Sequence, residues 1–423
     1  MTDAMPSGVV AKVFERARLL KLADALAVAV AVSLPWSTSA TSVLIALWLL
    51  ALLPTITPAE LRREIANPAA GLPIVLWAVG IIGTLWSEAS LGEQIYAIKG
   101  FHKLLVIPLL LIQFRRSDKG HWALGGFLGS CTVLLCASWV LHVWPHNAWR
   151  TGPPGVPVKD YIVQSVEFLI CTFALAHLSV DAWSRHRRIA ALLLATLALL
   201  FLANMAFVGT GRTSLVAFPV LLALFAIQRF GAMGTAVMAI AGALFAALIF
   251  ASSPYLRERS LGVIAEIQRG NSAKACQGGI CGDASAGYRL EFWRKSVGFV
   301  AEAPLLGHGT GSIPILFRRA AVGEAGIAAA VTGNPHNQTL EIAVQFGLVG
   351  VSVLYAMWMA HLMMFRGARL VAWLGQGLVI QTIVGSLFLS YMLDFSTGWI
   401  YVLGVGLLGG MVAADPPYQQ AHR

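Results

Sequence analysis

The chain has 423 residues, of which 57% are hydrophobic and only 12% charged, with a formal net charge of +10 and a mean hydropathy of +0.73. Soluble globular domains carry about 25% charged residues, so the composition excludes an ordinary soluble fold and points to a polytopic membrane protein. The positive charge does not indicate nucleic acid, because 16 of the 30 Lys/Arg residues sit in short turns on one side of the apolar segments, as the positive-inside rule requires.

At roughly 20 residues per spanning helix, the length leaves room for about a dozen spans. Lys12, Arg16, Arg18 and Lys21 precede the first apolar run, Leu22 to Leu34. The small residues Ser37-Thr38-Ser39-Ala40 make a cleaved signal peptide the competing reading, but the spans that follow favour an uncleaved first helix. Span two, about Ser42–Leu53, is short and stops at Pro54, so a tight hairpin around Pro35 is expected. Arg62 and Arg63 lead to span three, about Gly71–Trp86, and span four runs from about Gln94 to Phe114. Span five is about Trp122–Trp144, and a Pro/Gly-rich loop, Pro145 to Asp160, leads to span six, about Tyr161–Val180. Span seven, Ile189–Val208, meets Gly209-Thr210-Gly211-Arg212-Thr213-Ser214, and spans eight and nine cover about Leu215–Ile227 and Met233–Ala251. Spans ten to twelve cover about Gln338–Phe365, Leu374–Leu393 and Trp399–Val412.

Twelve spans put both termini and the Arg-rich turns in the cytoplasm, and they leave Arg212 and the long polar segment outside. Trp36, Trp86, Trp144, Trp149, Trp183 and Trp399 near span ends fit interfacial aromatics. The expected class is therefore an all-α polytopic membrane protein with about 12 transmembrane helices and one large helical periplasmic loop. Residues 1–251 supply helices one to nine, 252–335 the cap, and 336–423 the last three helices and a cytoplasmic tail. No Walker loop, dinucleotide fingerprint, internal repeat or paired metal-ligand spacing occurs.

The polar stretch from Ser252 to Asn337 holds nine Lys/Arg against six Asp/Glu. Leu256, Ser260, Val263, Ile264 and Ile267 predict an amphipathic helix lying on the bundle. Asp283–Ala303 predicts a second, with Leu290, Trp293, Val297 and Val300 on one stripe, Arg289 beside it and Pro304 ending it. The loop Gly307-His308-Gly309-Thr310-Gly311-Ser312 has backbone N–H groups suited to an anion nest. Cys276 and Cys281 in this stretch are expected to close a small disulfide loop if it faces an oxidising compartment. Cys131, Cys136 and Cys171 lie in apolar runs and read as packing residues.

His336 is the first candidate for chemistry. Pro335 is expected at the first position of span ten, which puts His336 at a helix N-terminus, where an imidazole of unperturbed pKa ~6.5 can take a proton. The alternative is an interfacial histidine with one structural hydrogen bond, and His308, flanked by glycines, is the weaker base. Arg212 sits in a Gly-rich turn that lets backbone approach a ligand, and its planar fork suits pyrophosphate; an interfacial anchor is the alternative. Arg289 is a phosphate candidate against the alternative of a solvated basic face, which is the reading for Arg294 and Lys295. Lys99 and Lys103, four apart in span four, predict one cationic helix face opening on an outward cavity. Asp394 could pair with an arginine or orient His336, or be an ordinary helix-end carboxylate. His102 and Glu167 lie within spans without an evident role.

Gly211-Arg212-Thr213-Ser214 opening span eight, then Arg289, Trp293, Pro304-Leu305-Leu306-Gly307-His308-Gly309, and finally His336-Asn337-Gln338-Thr339-Leu340 leading to Gly347 and Gly350, resemble the O-antigen ligase/polymerase superfamily, within which the layout is most similar to the O-antigen ligases. The resemblance is specific from Arg212 to Gly350. It implies a bacterial inner-membrane glycosyltransferase of lipopolysaccharide biosynthesis, its active site facing the periplasm. The donor would be a polysaccharide on undecaprenyl pyrophosphate and the acceptor a sugar hydroxyl of the lipid A–core, with no cofactor, metal or nucleotide. It assigns the essential histidine to His336, the essential arginines to Arg212 and Arg289, and an acidic residue to Asp394. Lys99 and Lys103 would attract the substrate's phosphate. A polymerase or a protein O-oligosaccharyltransferase of the same superfamily is the near alternative. A flippase for polyprenyl-linked glycan is the distant one, disfavoured because polar residues gather at one face.

Overall fold

A computed structural model describes residues 7–147, 152–209, 211–252, 285–367 and 369–414, and among these there are helices and no strands. The expected all-α membrane architecture is what the chain adopts. Nine helical segments among the described residues are long and apolar enough to cross a membrane.

The helices are α1 (Ser7–Ser33), α2 (Thr38–Leu52), α3 (Pro58–Ile65), α4 (Pro68–Ile82), α5 (Leu91–Phe101), α6 (Val106–Arg116), α7 (Gly120–Val143), α8 (Tyr161–Ser184), α9 (Arg188–Phe207), α10 (Arg212–Ser252), α11 (Ser285–Glu302), α12 (Ile313–Ala320), α13 (Gln338–Met364), α14 (Leu370–Ser386) and α15 (Phe395–Ala414). Their starts carry the residues that satisfy free amides. Capping boxes form at Thr57/Glu60 and Ser90/Glu93, and Asp160 accepts from the amides of Ile162 and Val163 at 2.8 and 2.9 Å. Such caps each stabilise a helix by about 1 kcal/mol. α10 turns at Gly231 (φ +66°, ψ −164°), which separates the two spans expected on either side of Arg229.

At one end of the bundle Arg16 and Arg116 pair with Glu60, and Arg115 with Glu64 at 2.7 Å. Glu64 is almost fully enclosed, and its burial pushes the carboxyl up against the opposing pull of Arg115. The other end is closed by α11 and α12. Arg318 and Arg319 of α12 bond Glu93 and Glu88 at 2.6 and 2.5 Å, while Phe292 and Phe299 of α11 pack on Phe317 and Val344.

The span expected from Gln94 to Phe114 is two helices, because a 3-10 turn at His102–Leu105 interrupts it. Span eleven also ends early. α14 stops at Ser386, and residues 387–394 form successive turns before α15. The expected amphipathic helix at Leu256–Ile267 and the Cys276–Cys281 pair lie outside the described residues.

The cap is joined to the bundle by an exchange of backbone hydrogen bonds. α13 breaks at Gly347 (φ +59°), and residues 304–309 occupy the break. The amides of Leu348 and Val349 donate to Pro304 O and Leu305 O at 2.8 and 3.3 Å, while Val344 O and Gln345 O accept from His308 N and Gly309 N, both at 2.9 Å. In an unbroken helix Leu348 and Val349 would donate to Val344 and Gln345 themselves. The crossing needs bare backbone on both sides. A Cβ on Gly307 would lie 2.5 Å from Gln345 C, and one on Gly347 would lie 2.4 Å from Leu305 C.

This arrangement corrects the anion-nest expectation. The amides of Gly307 to Ser312 are all engaged inside the protein: Thr310 N donates to Gly83 O at 3.1 Å, and Gly311 N to Gln345 Oε1 at 2.8 Å. Backbone that bridges two helices has no amides left for a ligand.

Gly347→Ala combines a left-handed backbone with this clash, and each left-handed L-residue alone costs about 1–2 kcal/mol. The variant is expected to lose at least that much stability, read as a fall in Tm of the detergent-solubilised protein; an unchanged Tm would show the crossing to be dispensable.

Candidate active site

His336 is held by its neighbours along the chain and by the 387–394 turn. The helix begins at Gln338, two residues later than His336 and three later than Pro335, with Asn337 as the N-cap accepting from Leu340 N at 3.0 Å. Pro335 is therefore not the first helical residue, and His336 is the non-helical residue before the cap, at φ +56°. Asn334 makes that backbone possible: its Oδ1 accepts from His336 N at 2.7 Å and from Ser390 Oγ at 2.9 Å. Three more bonds anchor the segment. Trp293 of α11 donates to Pro335 O at 3.0 Å, Asn337 Nδ2 to Leu387 O at 3.0 Å, and Met392 N to Gln338 Oε1 at 3.0 Å.

The imidazole of His336 stacks near Phe292, with ring centroids 6.3 Å apart and an interplanar angle of 29°. Its Nδ1 is buried and has no hydrogen-bond partner among the described residues. Burial first, and the positive charge of Arg289 second, push its pKa below the ordinary imidazole value. Both favour the neutral ring, the form that accepts a proton.

Arg289 projects from α11 and is half-buried. Burial and the nearby Arg212 guanidinium lower its pKa, while the Tyr161 and Tyr391 hydroxyls work the other way. Arg212 opens α10, where Gly211 N donates to Ser165 Oγ at 3.0 Å and ties the turn to α8. Three segments far apart in sequence thus bring Arg289 within electrostatic reach of both Arg212 and His336. Neither guanidinium bonds a carboxylate among the described residues. Two neighbouring cations and a helix N-terminus are groups that attract anions.

The other expected site residues are placed differently. Lys103 is buried, and its ammonium donates to Leu393 O at 3.2 Å and to Asp394 O. Lys99 is exposed, so the two lysines do not share one open cationic face; the 3-10 turn between them breaks the helical register. Lys103 holds the 387–394 turn instead of facing an outward cavity. Asp394 is the N-cap of α15, accepting from Ser396 N at 3.0 Å and Thr397 N at 3.3 Å. It bonds neither His336 nor an arginine, which agrees with the helix-end alternative. His308 Nε2 donates to Phe299 O at 2.8 Å, and the ring belongs to the cap core. Glu167 pairs with Lys159 of the Pro/Gly-rich loop at 3.4 Å.

Sequence reasoning missed Tyr391, which is 3% exposed and lies beside Arg289, Ser214 and Asp394. It also missed Phe292 and Asn334. Tyr391 looked like one more apolar residue of span eleven, and only the early end of α14 turns it toward the arginines. An apolar cavity of about 80 Å³ lies between α1, α7, α8, α14 and α15, walled by Phe127, Ile170, Phe173 and Leu378. It contains no titratable group and is separate from His336.

Residues 197–355 match the family model described as O-Antigen ligase. The matched stretch contains Arg212, Arg289 and His336 and the crossing at Gly347. No curated protein matches the chain.

Arg289→Gln removes the cation that depresses His336, so the His336 pKa should rise toward the ordinary imidazole range. The pH dependence of diethylpyrocarbonate modification, referenced to His336→Ala, measures this; an unmoved profile would mean that burial alone sets the value.

Proposed function

We propose that the chain, whose residues 197–355 match the O-Antigen ligase family model, transfers a glycan from a polyprenyl pyrophosphate, undecaprenyl pyrophosphate in the bacterial inner membrane, to a sugar hydroxyl of the lipid A–core. The cap side faces the periplasm in this reading, and the Arg-rich turns face the cytoplasm. The observation that supports it is that Arg289 lies near both Arg212 and His336, two guanidinium groups without a carboxylate partner among the described residues and an imidazole whose pKa is lowered.

In this mechanism neutral His336 takes the proton of the acceptor hydroxyl. The oxygen attacks the anomeric carbon as the bond from that carbon to the pyrophosphate oxygen breaks. The electron pair leaves with the pyrophosphate, and the anomeric centre inverts. Arg212 and Arg289 offset the negative charge that grows on the leaving group. Asn334 and Phe292 hold the imidazole so that little reorganisation accompanies the transfer. Polymerase and protein oligosaccharyltransferase readings use the same base and the same clamp, and they differ only in the acceptor.

The test is transfer by the reconstituted protein from a polyprenyl-pyrophosphate glycan to lipid A–core, free glycan or a protein acceptor. Lipid A–core is expected to be modified; modification of only one of the others would replace the ligase reading. His336→Ala should lower the rate by about 10²–10⁴-fold, and Arg289→Ala by about 10²–10³-fold. A tenth of normal activity in His336→Ala would remove the base assignment. For orientation, a cysteine at exposed Arg319 should react with a membrane-impermeant thiol reagent from outside the cytoplasm, and one at exposed Arg187 should not.

A further inference from the structure

Below His336, the first turn of α13 carries a group of buried polar side chains whose hydrogen bonds do not balance. Gln338 is 1% exposed and Glu341 8%, and they lie three residues apart on one helix face. The Gln338 amide is oriented by Met392 N, which donates to its Oε1 at 3.0 Å, and its Nε2 has no partner. Glu341 Oε2 has none either. The carboxyl lies beside the Ser390 hydroxyl. That hydroxyl's one proton is committed to Asn334 Oδ1 at 2.9 Å, an atom identified as the oxygen because it also accepts from His336 N at 2.7 Å. Ser390 therefore cannot serve as a donor to a Glu341 carboxylate. Among the described residues the cluster offers one N–H donor and one carboxyl oxygen without partners, two and five residues along the chain from His336, whose Nδ1 has none either.

We propose that Gln338 and Glu341 form a carbohydrate-hydroxyl subsite that seats a sugar ring against His336. A hydroxyl accepts one hydrogen bond and donates another, so a single sugar hydroxyl satisfies Gln338 Nε2 and Glu341 Oε2 together. An anion would meet the Glu341 carboxyl, and a cation would meet the Gln338 N–H with Arg289 nearby; a neutral polyol fits both. This inference rests on the glycosyl-transfer reading. The sugar belongs either to the acceptor or to the residue being transferred, and the subsite selects the ring that presents the right hydroxyl.

Gln338→Glu isolates the effect, because it keeps an oxygen for Met392 N and replaces the free N–H by a second acceptor. Glu341→Gln does the same for the carboxyl at constant size. Both are made in the His336→Ala protein in nanodiscs, and equilibrium binding of lipid A–core and of polyprenyl-pyrophosphate glycan is measured separately, along with Tm. Loss of a hydrogen bond to a charged or buried group should weaken one substrate by about tenfold or more. A loss confined to lipid A–core places the acceptor sugar here, and a loss confined to the lipid-linked glycan places the transferred sugar here. Unchanged affinities for both substrates, with or without a lower Tm, would reduce the cluster to a structural network and overturn the proposal. Because binding is read in a background without the base, continued turnover by His336→Ala would sink the mechanism while leaving the subsite result standing.

Discussion

The structure depends on the exchange of backbone hydrogen bonds between residues 304–309 and the break in α13 at Gly347. A cap resting on a membrane bundle through side chains alone would slide, since apolar contacts are not directional. Here the two amide–carbonyl bonds that would ordinarily close α13 on itself are replaced by four bonds to residues 304–309. The four cross bonds fix the position of residues 304–309 against the break. From that crossing α11 runs over the site with Trp293 bonded to Pro335 O, so Arg289 stands over His336 by construction.

The electrostatics of the site follow from that placement. Among the described residues no carboxylate bonds either guanidinium; Arg212 helps lower the pKa of Arg289, and Arg289 that of His336. Such an arrangement costs stability unless an anion fills it. Under the proposed reaction the clamp is least satisfied when empty and best satisfied when the leaving group carries its full charge. Burial and the Arg289 charge lower the His336 pKa and so favour its neutral ring. One arrangement of charge thus serves both the base and the leaving group.

The 387–394 turn is the second support. Lys103 binds its carbonyls, Asp394 caps the helix that follows, and Ser390 and Met392 hold Asn334 and Gln338. Lysine and aspartate at a membrane edge suggested substrate contacts, yet both are committed to backbone. Buried backbone needs partners, and a long cationic side chain is one of the few groups that can reach two carbonyls across a helix break. The turn in exchange presents Tyr391 to the arginines, where a continuous span eleven would have carried it elsewhere.

The amino-acid sequence by itself determined that this is a helical membrane protein, where most of its apolar segments begin and end, and which polar residues were unusual enough to examine. Composition, periodicity and capping residues are local properties, and local properties can be read along a chain. Arg212, Arg289 and His336 stood out because charge and imidazole are rare in such company. Whether a polar group is available to a ligand is another matter, since its partner is usually supplied by a distant segment. Lys103 is answered by residues near 394, the glycine-loop amides by Gly83 and residues 344–345, and Asn334 by Ser390. Only the tertiary structure decided which hydrogen-bonding groups were already matched and which, like those of Gln338 and Glu341, were not.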